Sequence, residues 1–366
     1  MILNKSMEMK KQFASSIAVA ISAAWLWSCN QSDPAPKGDY VSGVFVSNEG
    51  NFNQNNGAVS FFPRERTTAD ADIFAAVNGA ALKGGVQDFV SANGKGIILV
   101  DNSAAGQDKV EFVDSYTFKS EGSIGAPDIE NPREALIIGS RAYVSCWGTN
   151  ADYKYTTGYV AVIDMNTKKV TKKINVADGP ENLANANGKL FVGTTAYGAG
   201  NKVTVINLAT EEAGSPIATQ GAANPIGIDA NGKLWVNAGN KVLRINAETS
   251  VTEATLTIAT DGYKSPDNFA LSADLRSIFF VLSWYDNTNK ERGATYKFGI
   301  GDAQIATTPL IPRTFSGLAV DPAQGLLYAG VTPSYAQAGY AVRYRADGSL
   351  VDSIKVGVAP KGFFFQ

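Results

Sequence analysis

No histidine occurs among the 366 residues. That absence removes the Ser-His-Asp triad, the imidazole general base and every histidine-ligated metal site. Cysteine is almost as scarce, with Cys29 and Cys146 alone. A fold with one cysteine in its body has no internal disulfide and must hold by packing. Cys146 stands in an apolar run and reads as a small buried hydrophobe. No P-loop and no GxGxxG after a strand is present, so phosphate-cradling loops are missing too. An excess of positive charge is also lacking: 32 Lys+Arg stand against 34 Asp+Glu. That argues against a nucleic-acid partner, which needs a basic face. Carboxylate-only chemistry survives, as in glycosidases with two acids roughly 5–10 Å apart. Asp88, Asp128, Glu130, Glu134, Glu181 and Asp267 are candidates, yet nothing in their spacing singles out a pair. Asp286-Asn287-Thr288-Asn289 has half of a calcium loop, but the Gly and Glu that should follow are out of place, so it reads as a polar hairpin. The chain is therefore expected to be no enzyme, with no catalytic residue, no metal site and no cofactor.

The first 28 residues read as a secretory signal peptide. Lys5, Lys10 and Lys11 make a basic start, and the apolar run from Phe13 to Trp27 is too short to span a membrane stably. Leu26-Trp27-Ser28-Cys29 resembles the lipobox of bacterial lipoproteins, in which the cysteine is lipidated and becomes the new N-terminus; Trp27 departs from the small residue usual there. A cleaved, secreted protein is the alternative. Residues 29–39, the lipidated Cys29 and a polar, Pro-containing tether, cannot bury a core. Without the signal peptide the balance is 29 basic to 33 acidic residues, a formal charge of −4.

What is there in quantity is a repeat. From residue 40 to 366 an opening register recurs at Val86 (VQDFV), Pro132 (PREAL), Pro180 (PENLA), Pro225 (PIGID), Pro266 (PDNFA), Phe315 (FSGLA) and Pro360 (PKGFF). The spacing, about 41–49 residues, is that of a four-stranded propeller blade. The clearest unit runs from Gly179 to Gly221. Its Asn187-Gly188 turn joins two short strands, and a third follows at Lys202 to Leu208 with Val203 and Val205 alternating against Thr204 and Ile206. Asn-Gly at 93–94, 187–188 and 231–232 suits tight hairpins with positive φ. Pro360 lies too close to the last residue for a blade to follow. The missing strands are at the other end, in SGVFVSNEG and GAVSFFPRE. The expectation is an all-β, seven-bladed β-propeller whose C-terminal strand joins the N-terminal blade and closes the ring. Phe191, Trp235, Phe279 and Tyr328 recur at equivalent strand positions and read as inter-blade core.

In such a ring the loops before strand one and those between strands two and three emerge on one face. The second-to-third loops are long in four blades: Asn48 to Asn56, Cys146 to Thr157, Ser283 to Arg292 and Val331 to Ala338, with Thr194 to Gly200 added by another. They carry Phe52, Trp147, Tyr153, Tyr155, Tyr197, Trp284, Tyr285 and Tyr335. So many large rings on loops point to a binding face for a large, flat or amphipathic ligand. Arg133, Asn182, Asn268 and Lys361, on the opening loops, would add polar contacts around the channel mouth.

The repeats GKLFVG, NKVTVINLAT and INVADGPENLA resemble those of the YncE-like, surface-layer-type seven-bladed propellers. The opening GVFVSNEGNFNQNNGAVSFF resembles that of a group of outer-membrane lipoproteins, over essentially all of Tyr40 to Gln366. Some members of that group capture cobalamin at the cell surface and pass it to a TonB-dependent transporter. The resemblance implies an outer-membrane lipoprotein exposed at the cell surface, touching the membrane through its lipid anchor only. It implies a corrinoid as ligand and a TonB-dependent outer-membrane transporter as partner. The residues alone leave open a glycan stacked on Trp and Tyr, or a protein-interaction scaffold that caps a transporter.

Overall fold

The computed structural model describes residues 37–149, 157–195, 200–260 and 264–366. Cys29, Tyr153, Tyr155 and Tyr197 lie outside the described residues, as does the signal segment. Residues Tyr40–Gln366 form one unit.

Within that unit, short strands follow one another with hairpin turns. Blade 1 begins with β1 (Val44–Asn48) and β2 (Ala58–Phe62), followed by helix α1 (Ile73–Asn78). Blade 2 is β3 (Gly85–Ala92), β4 (Lys95–Asp101), β5 (Lys109–Asp114) and β6 (Ser120–Gly125). Blade 3 is β7 (Pro132–Ile138), β8 (Arg141–Cys146), β9 (Tyr159–Asp164) and β10 (Lys169–Asn175). Blade 4 is β11 (Pro180–Ala186), β12 (Lys189–Thr194), β13 (Lys202–Asn207), and a fourth edge split into β14 (Glu212–Ala213) and β15 (Ile217–Ala218). Blade 5 is β16 (Ala223–Ile228), β17 (Lys233–Ala238), β18 (Lys241–Asn246) and β19 (Thr252–Thr257). Blade 6 is β20 (Ser265–Leu271), β21 (Ser277–Tyr285) and β22 (Glu291–Gly299). Blade 7 is β23 (Gly317–Val320), β24 (Leu327–Val331), β25 (Ala338–Tyr344) and β26 (Leu350–Val358), and β27 (Pro360–Phe365) ends the fold.

Each blade is one antiparallel sheet, and β27 pairs with β1, so the sheet β2-β1-β27 is completed by both ends of the unit. The fold is an all-β, seven-bladed propeller. The innermost strands β3, β7, β11, β16, β20, β23 and β27 each touch the next, and β27 touches β3, which closes the circle. Blades 1 and 6 lack a regular fourth strand. Blade 1 substitutes a bridge from Phe61 to Asp70 and helix α1, which is capped by the Asp72 carboxylate on the Ala75 N–H and buries Ile73 and Phe74. Blade 6 has a bridge from Thr295 to Ile311.

The core lies between blades. Seven buried clusters each draw on two neighbouring blades. Phe191, Trp235, Phe279 and Tyr328 are at most 1% exposed and sit in four of them. Each such phenylalanine contributes roughly 1.5–3 kcal/mol by leaving water. Both faces of a middle strand are covered, so the expected alternation in β13 is absent: Val203, Thr204, Val205 and Ile206 are all buried. The turns behave as their side chains dictate. At 93–94 and 187–188 both residues take positive φ, whereas at 231–232 only Gly232 does. There the Asp229 carboxylate accepts the Asn231 and Lys233 N–H groups and sets a different turn.

The ring is stitched from blade to blade near the axis. Asp88 accepts the Ala135 N–H at 3.0 Å and Glu134 accepts the Leu183 N–H at 3.1 Å. Burial pushes the Glu134 carboxyl up to about 8, with the Asp88 charge adding to it. Burial likewise raises Asp88 to about 6, against the pull of the Ala135 and Phe89 N–H groups. The seam between blades 7 and 1 has its own fastening. The Arg64 guanidinium meets the fully buried Asp321 at 2.6 Å and also donates to Gln366 O.

Two outcomes test these stitches. A raised carboxyl keeps its proton in the folded state, so its contribution is full below the unfolded value of 4.5 and is lost as pH rises through about 8. Glu134→Gln should therefore raise Tm at pH 8–9 and flatten the fall of Tm between pH 5 and 9; an unchanged slope refutes the assignment. Arg64→Ala leaves Asp321 buried and uncompensated and should cost about 3 kcal/mol in urea unfolding. Adding Asp321→Asn should recover part of that loss.

Candidate functional site

One face of the ring carries a cleft of about 870 Å³ over blades 1, 2 and 3, with blade 7 at its edge. Its walls come from the second-to-third loops of those four blades and from the connection into β7, so the two loop classes do emerge together. The blade 1 wall is the segment Glu49 to Asn53. Asn48, at the end of β1, is fully buried and donates to Val46 O, Ala58 O and Ser60 Oγ, which anchors the segment. Gly50 turns the chain with φ 80, where a Cβ would lie 2.6 Å from Gly57 N. Asn51 caps the 3-10 turn Phe52–Gln54 and donates to Tyr335 O in blade 7 at 3.2 Å. Asn55 and Ser103 exchange two hydrogen bonds, 2.8 and 2.9 Å, which ties the same segment to blade 2. The loop is held on both sides and leaves Phe52 62% exposed.

The floor is polar. The Arg133 guanidinium lies 3.2 Å from Asp101, 3.5 Å from Glu181 and 4.2 Å from the centre of the Trp147 ring. Stacking and two carboxylates fix it. Asp108 accepts the Asn102 N–H at 2.8 Å and the Asn131 N–H at 2.9 Å, which joins the blade 2 loop to the entry of β7. Asn131, at φ 49, in turn donates to Gly148 O and accepts from Trp147 N–H, so it positions that ring. Burial raises the Asp101 carboxyl to about 6; Arg133 pulls it down while Asp108 and Glu49 push it up. Asp108 is raised as well, chiefly by burial.

Four expected residues thus line the cleft: Phe52, Arg133, Trp147 and Tyr335. Two more stand beside it. Lys361 Nζ is 4.0 Å from Glu49. Tyr285 acts on Tyr335, whose phenol is raised by desolvation and then by Glu49, Tyr285 and Glu291. The other described ones are elsewhere. Asn182 is exposed at the irregularity of β11. Asn268 donates to Phe315 O and bridges blades 6 and 7. Trp284 is half-buried, paired with Arg292 and covered by Lys264 at 4.9 Å. The expected long loop Ser283 to Arg292 is shorter than it reads, because β21 and β22 continue to Tyr285 and Glu291. Asp286 closes that hairpin through Thr288, Lys290 and Arg292, which hold its carboxyl well below the usual range. Cys146 is buried, its thiol pushed up to about 12 by desolvation.

Glu49, Asp101, Asn102, Ser103 and Asp108 were not among the expected site residues. The blade 2 loop is short and carries no ring, so a search for aromatic loops passes it by. The available signal was Asp101 itself, a carboxylate ending the apolar run GIILVD.

Comparison with solved structures gives propellers. The chain is similar to a quinonprotein alcohol dehydrogenase-like protein from Bacteroides thetaiotaomicron, at 21% identity over 89% of this chain and 78% of that one, with a TM-score of 0.61. It is similar to a candidate 6-phosphogluconolactonase from Bacteroides uniformis, at 13% identity over 90% and 100% of the two chains and a TM-score of 0.65. Hydrazine synthase from Kuenenia stuttgartiensis matches at 18% identity over 72% and 84%, with a TM-score of 0.55. At these identities the likeness shows the fold alone. No curated protein matches. Residues 42–365 match the model of a family described as a domain of unknown function (DUF5074), and the chain belongs to that family.

Proposed function

We propose that this chain is a non-enzymatic cell-surface lipoprotein that captures a corrinoid on its loop face and passes it to a TonB-dependent outer-membrane transporter. One observation carries the binding part. Among the described residues the three most exposed rings, Tyr285 at 71%, Phe52 at 62% and Tyr335 at 59%, come from consecutive blades, and the last two line the cleft. Rings left in water on fixed loops favour a flat or amphipathic partner. The cleft has the size of a small-molecule site, about 300–1,000 Å³. Its polar floor suits a molecule with an apolar face and a hydrogen-bonding rim, which is the chemistry of a corrin ring fringed by carboxamides. Within the segment that carries the resemblance to corrinoid-capturing lipoproteins, Glu49 to Phe52 line the cleft. The same open rings in series also suit a glycan, the second reading.

Calorimetric titration with cyanocobalamin tests this. One-to-one binding is expected, weakened at least tenfold by Phe52→Ala with Tyr335→Ala, and by Trp147→Ala. No heat with the folded chain removes the corrinoid reading. Binding of a neutral oligosaccharide lost in the same variants would establish the glycan instead.

A further inference from the structure

We infer that the cleft selects ligands that bring hydrogen-bond donors, neutral or cationic, and turns away ligands that bring carboxylates. The inference deepens the reading of the loop face as the ligand site and rests on it. It follows from which polar groups of the lining are already engaged. The donors are. Asn51 Nδ2 is held by Tyr335 O, Asn102 Nδ2 by Lys83 O, and Asn131 Nδ2 by Gly148 O. Gln87 Nε2 leans on Glu49 at 3.4 Å. Among the described residues the single lining guanidinium, Arg133, has Asp101 and Glu181 on its edges and Trp147 on its face. The acceptors are in surplus. Glu49, Asp101, Asp108 and Glu130 all line the same space. The Glu49 side chain keeps 32% of its surface open, and Lys361 stands 4.0 Å away.

Among the described residues, a ligand entering this cleft therefore meets more carboxylate oxygens than open N–H groups. An amide, a hydroxyl or an ammonium supplies what the lining lacks. A carboxylate meets like charge in a partly desolvated space, where repulsion is weakly screened. For a corrinoid this separates the intact carboxamide fringe from a fringe with one amide hydrolysed. For a glycan it separates neutral sugars from uronic acids.

Two measurements test the inference, and only one needs a ligand. In the first, fluorescence of Trp147 is quenched by caesium and by iodide, its contribution taken as the difference from the Trp147→Phe chain. Caesium should quench several-fold better than iodide, and Glu49→Gln with Glu130→Gln should bring the two together. Iodide quenching equal to or above caesium overturns the inference. In the second, cyanocobalamin is titrated against its monocarboxylic acids. At least one of the acids should bind roughly tenfold more weakly at low salt, with the gap closing at 1 M NaCl, where the screening length is about 3 Å. Equal binding of all the acids overturns the inference and leaves the corrinoid reading standing. Failure of cyanocobalamin itself to bind removes the corrinoid reading, and the quenching result still decides the preference of the cleft.

Discussion

The pairing of β27 with β1 is the constraint on which the rest of this structure depends. Every blade is apolar on both faces and needs a neighbour on each side, so an open ring would leave two such faces in water. β27 supplies the inner strand of blade 1 and does so with three successive rings. Phe364 packs into the cluster shared with blade 2, while Phe363 and Phe365 pack into the cluster shared with blade 7. Gly43 and Gln366 exchange backbone hydrogen bonds at 3.0 Å, and the Gln366 side chain reaches Tyr40 O and Ser91 Oγ. Closure thus joins sheet, core and side-chain contacts in the last seven residues.

The loop face inherits its geometry from that ring. The blade 1 loop that carries Phe52 is tied to blade 7 by Asn51 and to blade 2 by Asn55, so it crosses both interfaces that closure completes. Beneath it, Arg133 draws blades 2, 3 and 4 together through Asp101, Trp147 and Glu181. The rim is apolar and open, and the floor is polar, acidic and largely occupied with holding itself in place. Such a site is preformed, and a ligand would meet it with few side chains left to order.

How much of this was legible in the sequence follows from the physics of each feature. The blade openings could be read because Pro132, Pro180 and Pro360 start strands β7, β11 and β27, where a residue without an N–H is tolerated. Closure was legible because Pro360 had no second strand after it. Phe52, Trp147 and Tyr335 stood out as large rings on loops. Asp101 and Asp108 did not, because their role depends on blade 2 meeting Arg133 of blade 3, a contact that no local pattern encodes. Asn268 stands at an opening-strand register like that of Arg133, and its amide is drawn to Phe315 O in the next blade, a contact that no local pattern encodes either. The alternation expected in β13 failed because a propeller sheet is buried on both faces.

The closing blade also sets a timetable. β1 and β2 precede β27 by roughly 300 residues, so wherever the chain emerges they appear long before it. Through that interval β1 has an unpaired inner edge, and Phe45 waits for Phe364. Blades 2 to 7 can stack as they appear, but the circle cannot lock until its last strand exists. The first strands made are therefore the last to be completed, and a nascent chain must keep that edge from finding another partner.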